Sequence, residues 1–166
     1  MTPFLKTLSL AVVLAVLGTG AADAQGSNVA FGGLRADTSA PVEVTADQLS
    51  VNQTDGTATF VGNVLVIQGD MRLSAGTLQV EYGNADRSRI ERLHASDGVT
   101  LVSGPDAAEA ASAVYTIASG SVEMTGNVLL TQGSNVLSGQ KLMIDLTTGT
   151  GRMEGRVRTV LQPGSN

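Results

Sequence analysis

Residues able to do chemistry are few in this chain, and their spacing is poor. The one histidine stands in His94-Ala95-Ser96-Asp97, so the three side-chain types of a nucleophilic triad fall within four residues. A working triad is defined by its geometry in space, not by adjacency along the chain, and no Gly-x-Ser-x-Gly elbow accompanies it. Gly149-Thr-Gly151-Arg-Met-Glu-Gly155 misses the dinucleotide spacing and lacks a following helix, so it reads as a turn. No phosphate-cradling Gly-x4-Gly-Lys-Ser/Thr loop occurs. With no cysteine and one histidine, the zinc sites built on those ligands are excluded. Asn52-Gln-Thr54 matches a glycosylation acceptor at chance frequency. Arg152, Arg156 and Arg158 read as charges guarding a strand edge rather than as phosphate contacts. The residues point away from catalysis and bound metal, and no cofactor is implied.

What the chain does carry is repetition. The run FVGNVLVIQG at 60–69 returns as MTGNVLLTQG at 124–133, an offset of 64 residues. The match continues without a gap through Leu73-Ser74 on Leu137-Ser138 and Leu78 on Leu142. A second motif starts at Ala46, Ala75, Ala111 and Gly139, and Asp97-Gly98-Val99 looks like a worn copy of the Gly-Asn-Val turn. Such repetition points to one supersecondary unit stacked on copies of itself. Each copy is too short to bury an apolar face alone, so neighbours must close it.

The first 24 residues read as a cleaved export leader. Lys6 supplies the positive region, an apolar run covers 8–17, and Ala22-Asp23-Ala24 has the small-x-small form of a cleavage site. That run is too short to cross a bilayer, which takes about 20 apolar residues. Residues 25–40, rich in Gly, Ser and Ala, read as a flexible lead-in, with order beginning at Pro41. A domain over 41–163 and a tail at 164–166 complete the expected organisation. The formal charge of −5 is unchanged by cleavage, because Lys6 and Asp23 leave together. An acidic chain with three Phe, two Tyr and no Trp lacks both the basic patches and the stacking platforms that nucleic acid requires. An exported chain without cysteine must hold together by sheet pairing and packing.

Short runs alternate apolar and polar residues, the period of a half-buried strand. They occur at 42–44, 49–51, 58–60, 78–82, 99–101, 114–117, 122–124, 128–130, 142–146 and 157–160, while 64–67 is apolar on both faces. Thr-Asp-Gly at 54–56, Gly-Asn at 62–63, Tyr-Gly-Asn at 82–84 and Thr-Thr-Gly at 147–149 punctuate them as turns. The alanine-rich stretch 107–113 reads as a loop entering a strand. The expected fold is all-β, with two repeated antiparallel sheets folded over each other as a jelly roll or closed sandwich. The inward set is Val42, Val44, Leu49, Val51, Phe60, Val64, Val66, Leu78, Val80, Leu101, Ile117, Met124, Val128, Leu130, Leu142 and Ile144. Both a packed core and a lined groove satisfy this pattern.

At this point the residues resemble a family. Pro41-Val-Glu-Val-Thr-Ala-Asp-Gln48, Thr59-Phe-Val-Gly-Asn-Val64, Gln68-Gly69 and Ser74-Ala75 resemble the N-terminal repeat of the LptA family of periplasmic lipopolysaccharide bridges, which has the OstA-like fold. Met124-Thr-Gly-Asn127, Gly139-Gln-Lys-Leu142 and Arg156-Val-Arg-Thr-Val-Leu-Gln-Pro163 are similar to its C-terminal half. The resemblance implies an open-ended, twisted β-jelly roll in the periplasm whose unobstructed apolar interior shields the acyl chains of lipid A. It places the acyl contacts at Val42 and Val44 near one mouth and at Phe60, Leu101, Tyr115 and Ile117 in the middle. It also implies head-to-tail strand addition, both between copies and with the related jelly rolls of LptC-like inner-membrane and LptD-like outer-membrane partners. The pairing edges would be Val42, Glu43, Val44 and Thr45 at one end. At the other end they would be Arg156, Val157, Arg158, Thr159, Val160 and Leu161, with Pro163 ending that strand. A structural or carbohydrate-binding β-repeat module is the alternative, although a lectin would show exposed aromatics or carboxylate clusters.

Overall fold

The computed structural model describes residues 27–30, 34–83 and 89–161. The leader at 1–24, the tail at 164–166 and Pro163 lie outside them. The order is β1 (Ser27–Ala30), β2 (Glu43–Thr45), β3 (Gln48–Asn52), β4 (Thr57–Gln68), β5 (Met71–Tyr82), β6 (Ile90–Ser96) and β7 (Val99–Ser103). Then come β8 (Asp106–Ala110), β9 (Ser112–Thr116), β10 (Ser121–Gln132), β11 (Asn135–Asp145), β12 (Thr150–Glu154) and β13 (Arg158–Val160). Every pairing is antiparallel.

The repeat has a structural meaning: it marks a crease. Gly62-Asn63, expected as a turn, and its repeat Gly126-Asn127 lie inside the long strands β4 and β10. Two residues there face one on the neighbouring strand, 62–63 against Gly76 and 126–127 against Gln140, which is the count of a β-bulge. Both residues of each bulge have positive φ, 83° and 46° at the first and 88° and 49° at the second. Glycine adopts that conformation without strain, and asparagine tolerates it better than most residues. The Asp47 amide donates to the Gly62 carbonyl (2.9 Å), and the Ala111 amide does the same to Gly126 (3.0 Å). The second motif therefore begins on the strands that cross the same line.

On either side of the crease the strands change partners. The 64–68 half of β4 pairs with β2 and its 57–61 half with β3. Likewise β5 splits between β7 and β6, and β10 between β8 and β9. The result is two layers joined along the crease. The first layer comprises β2, β7, β8, β13 and the adjoining halves of β4, β5, β10 and β11. The second comprises β1, β3, β6, β9, β12 and the other halves. The head of the stack is β2 with β3, and the tail is β13 with β12 and β1. Residues buried from both layers form one hydrophobic core.

Several expectations are corrected. The stretch 107–113 is not a loop. Most of it belongs to β8, paired on both sides, where small alanines suit the fully enclosed position of Ala108. Residues 149–155 are not simply a turn. The turn ends at Gly149, whose amide donates to Asp145 (2.9 Å), and β12 follows. The lead-in is not loose throughout. Ser27–Ala30 pairs with β12, Leu34 is 0% exposed, and residues 35–40 are hydrogen-bonded to the body.

Candidate functional site: the space between the layers and its two ends

Because the two layers share one interior, alternate side chains from each strand meet there. Val64, Val66, Leu101, Val128 and Leu130 enter from the first layer, and Leu78, Val80, Tyr115, Met124, Leu142 and Ile144 from the second, all buried. Val42, Val44, Phe60 and Ile117 are half-buried and pack against this core. Met71, Leu73, Leu93 and Val99 belong to the same interior and were missed. Leu73 is itself one of the repeated residues, and the recurrence could have marked it.

Two expected interior residues are not enclosed. Leu49 is 56% exposed and Val51 63%. Both sit on the head-edge strand β3, opposite Phe60 and Ala58, and no further strand covers them. They form one lip of an apolar groove of 250 Å³ whose other walls include Phe60 and Tyr82. The head is thus an open mouth.

The middle departs from the expected unobstructed tunnel. Leu73, Leu78, Leu101, Leu130 and Leu142 are each no more than 1% exposed, so no water-sized void touches them. Medium-sized aliphatic side chains from the two layers are enclosed together in one core, and protein interiors are generally close-packed. An acyl chain entering here must part the layers or replace something that fills the space.

A buried polar bridge spans the two layers. The Tyr115 hydroxyl, on β9, donates to Gln68 Oε1 at the end of β4 (2.7 Å). Burial pushes the Tyr115 phenol above its usual range, against the smaller opposing effect of that hydrogen bond, so it stays neutral and able to donate. Gln68 Nε2 donates onward to the carbonyls of Thr38 (3.1 Å) and Ala40 (2.9 Å). In the second repeat Gln132 turns instead to Asp106 (3.1 Å). Gln68 and Gln132 recur at the 64-residue offset, and each satisfies a buried polar partner on the layer's rim.

The candidate edges are exposed in fact. At the head, Glu43 and Thr45 point outward while Val42 and Val44 turn in, and β2 pairs with β4 alone. At the tail, β13 pairs with β11 alone. There Arg156, Arg158 and Thr159 are exposed, Val157 packs on the core, and Val160 and Leu161 are 45% and 69% exposed. Arg152 lies 3.0 Å from Glu154, an ion pair on the outer surface.

The triad letters separate. His94 Nε2 lies 3.1 Å from Glu81 Oε1 without hydrogen-bond geometry, and Asp97 accepts from Thr77 Oγ1 (2.7 Å). Among the described residues no group of three or more His, Cys, Asp or Glu is placed to hold a metal ion.

The family described as LptA/(LptD N-terminal domain) LPS transport protein matches residues 43–150. The chain belongs to this family. An uncharacterised protein of Rhizobium meliloti is 32% identical over 94% of this chain and 92% of its own length. The lipopolysaccharide export system protein LptA of Escherichia coli K12 is 26% identical, over 64% of this chain and 60% of that protein. Among solved structures, LptH of Pseudomonas aeruginosa superposes with a TM-score of 0.69 at 19% identity. That match covers 77% of this chain and 99% of the other. LptH is described as the LptA-homologous periplasmic component of a lipopolysaccharide transport device, and at this identity the likeness shows a shared fold. The LptA-like all-β architecture that the resemblance implied is thus the architecture found.

Proposed function

We propose that this chain is a periplasmic carrier that shelters the acyl chains of lipopolysaccharide between its two layers. In this reading it joins head to tail with its own copies and with LptC-like and LptD-like jelly rolls to span the envelope. The observation that carries the proposal is the aliphatic interior shared by both layers and opening at the head through Leu49, Val51 and Phe60. Exposing an acyl chain costs about 0.8 kcal/mol per CH₂, hence on the order of 10 kcal/mol for a chain of about 14 carbons. A carrier must therefore offer apolar surface continuously. Interior positions without bulky rings can exchange contacts with each other for contacts with lipid at little cost. The sugar and phosphate groups stay outside, which suits an acidic protein that holds the lipid by its tails.

A photoreactive residue replacing Phe60 or Ile117 is expected to capture purified lipopolysaccharide, whereas one replacing the outward Glu43 is not. Equal capture at all three sites, or none at any, would refute the carrier.

A further inference from the structure

The N-terminal segment does something the repeats do not require. It leaves β1 at the tail and enters β2 at the head, so residues 34–42 run the length of the stack. They bond to both layers along the side opposite the crease. Ser103 Oγ and Gln68 Nε2, from the first layer, donate to the carbonyls of Arg35, Thr38 and Ala40. From the strap, the Ala36 amide donates to the Leu146 carbonyl (3.2 Å) and Arg35 donates twice to Thr148, both on the second layer. Leu34 is fully buried in the shared core, and Ala36 and Val42 pack on it. The segment closes the seam and fills part of the interior with its own apolar side chains.

The same segment also ends in a strand that alters the tail. The head is flush, with β2 and β3 each the last strand of its layer. At the tail the first layer ends at β13, but the second ends at β1, one strand beyond β12. One strand is a step of roughly 4.8 Å. A flush head cannot pair with both halves of a stepped tail. With β1 gone, β13 and β12 would end level and offer both edges to the β2 and β3 of a second copy.

We propose that β1 and residues 34–42 form one displaceable strap that caps the tail edge and closes the seam of the interior. Lipid entry and docking of a second copy then compete with the same segment, so each favours the other. The lipid half of this inference rests on the carrier reading; the docking half does not.

The test uses the chain from Gln25 onward. Asn28 faces Arg152, and Val29 faces Gly151. Antiparallel partners lie roughly 4.5 or 5.5 Å apart between Cα atoms, both within the span of a disulfide, so N28C/R152C and V29C/G151C are both made. The chain has no native cysteine to interfere. Oxidation is expected to weaken self-association roughly tenfold, equivalent to about 1.4 kcal/mol, with reduction restoring it. Capture of purified lipopolysaccharide by a photoreactive residue at Ile117 should fall with it. Arg35→Ala, which removes only the bonds to Thr148, should shift both readouts the opposite way. Oxidised and reduced chains that associate and capture lipid alike would overturn the strap. Absence of capture by the reduced chain would instead overturn the carrier reading, while the association ratio would still decide the cap.

Discussion

Gly126→Val is expected to destabilise the protein by roughly 3–5 kcal/mol, the sum of backbone strain and overpacking. Gly126 has φ +88°, which a β-branched residue adopts only under strain. A Cβ there would also sit 2.7 Å from the Cβ of Ala111, which is fixed to the backbone at the bend between β8 and β9 and cannot swing aside. Gly133→Ala makes the comparison. Its φ is +57° but nothing lies within 4 Å of the added carbon, so about 1 kcal/mol is expected from the backbone alone. Denaturant titration gives both values. Equal stability of Gly126→Val and the parent would mean that the crease does not depend on the bulge.

Removing residues 156–166 is expected to abolish self-association without abolishing lipopolysaccharide capture, which loses only the support that docking lends it. The deletion takes away β13, whose outer side offers unpaired backbone and the exposed Val160 and Leu161. It leaves the first layer ending at β11 while the second still ends at β12 and β1, which deepens the step at the tail. The interior loses little, because among the deleted residues described only Val157 packs against the core. Oligomers unchanged by light scattering would refute the edge assignment. Loss of a cooperative unfolding transition would show that β13 supports the body rather than only joining copies.

These expectations show what could be read from residues alone. The 64-residue repeat gave the stacking because the crease imposes the same demand on each pass, a positive-φ pair that favours Gly-Asn at 62–63 and 126–127. It also made Gly62-Asn63 look like a turn. A bulge and a turn call for the same residue types, and only pairing on both sides of Gly62 and Gly126 distinguishes them. β8 was hidden by its composition, since alanine has low strand propensity and Ala108 is held there by neighbours on both sides. The strap was hidden in the same way. Leu34, Ala36, Thr38, Ala40 and Val42 alternate with exposed residues, but Ala and Thr give the pattern little contrast. Leu49 and Val51 have a sound inward pattern but no strand beyond β3 to cover them, a fact of strand order and not of periodicity. The packed middle could not be read at all, because lining and filling use the same aliphatic residues.

The closed interior also sharpens what transport asks of this fold. Leu101 is 0% exposed and lies in β7 of the first layer, away from both ends of the stack. A lipid that only touched the head groove would meet Leu49, Val51, Phe60 and Tyr82 and never reach it. The most direct measurement is therefore photo-crosslinking from position 101 in the chain from Gln25 onward, with purified lipopolysaccharide. Capture at 101 as well as at 60 is the predicted result, because acyl chains would then lie between parted layers. Capture at 60 with none at 101 would contradict it and confine the lipid to the mouth.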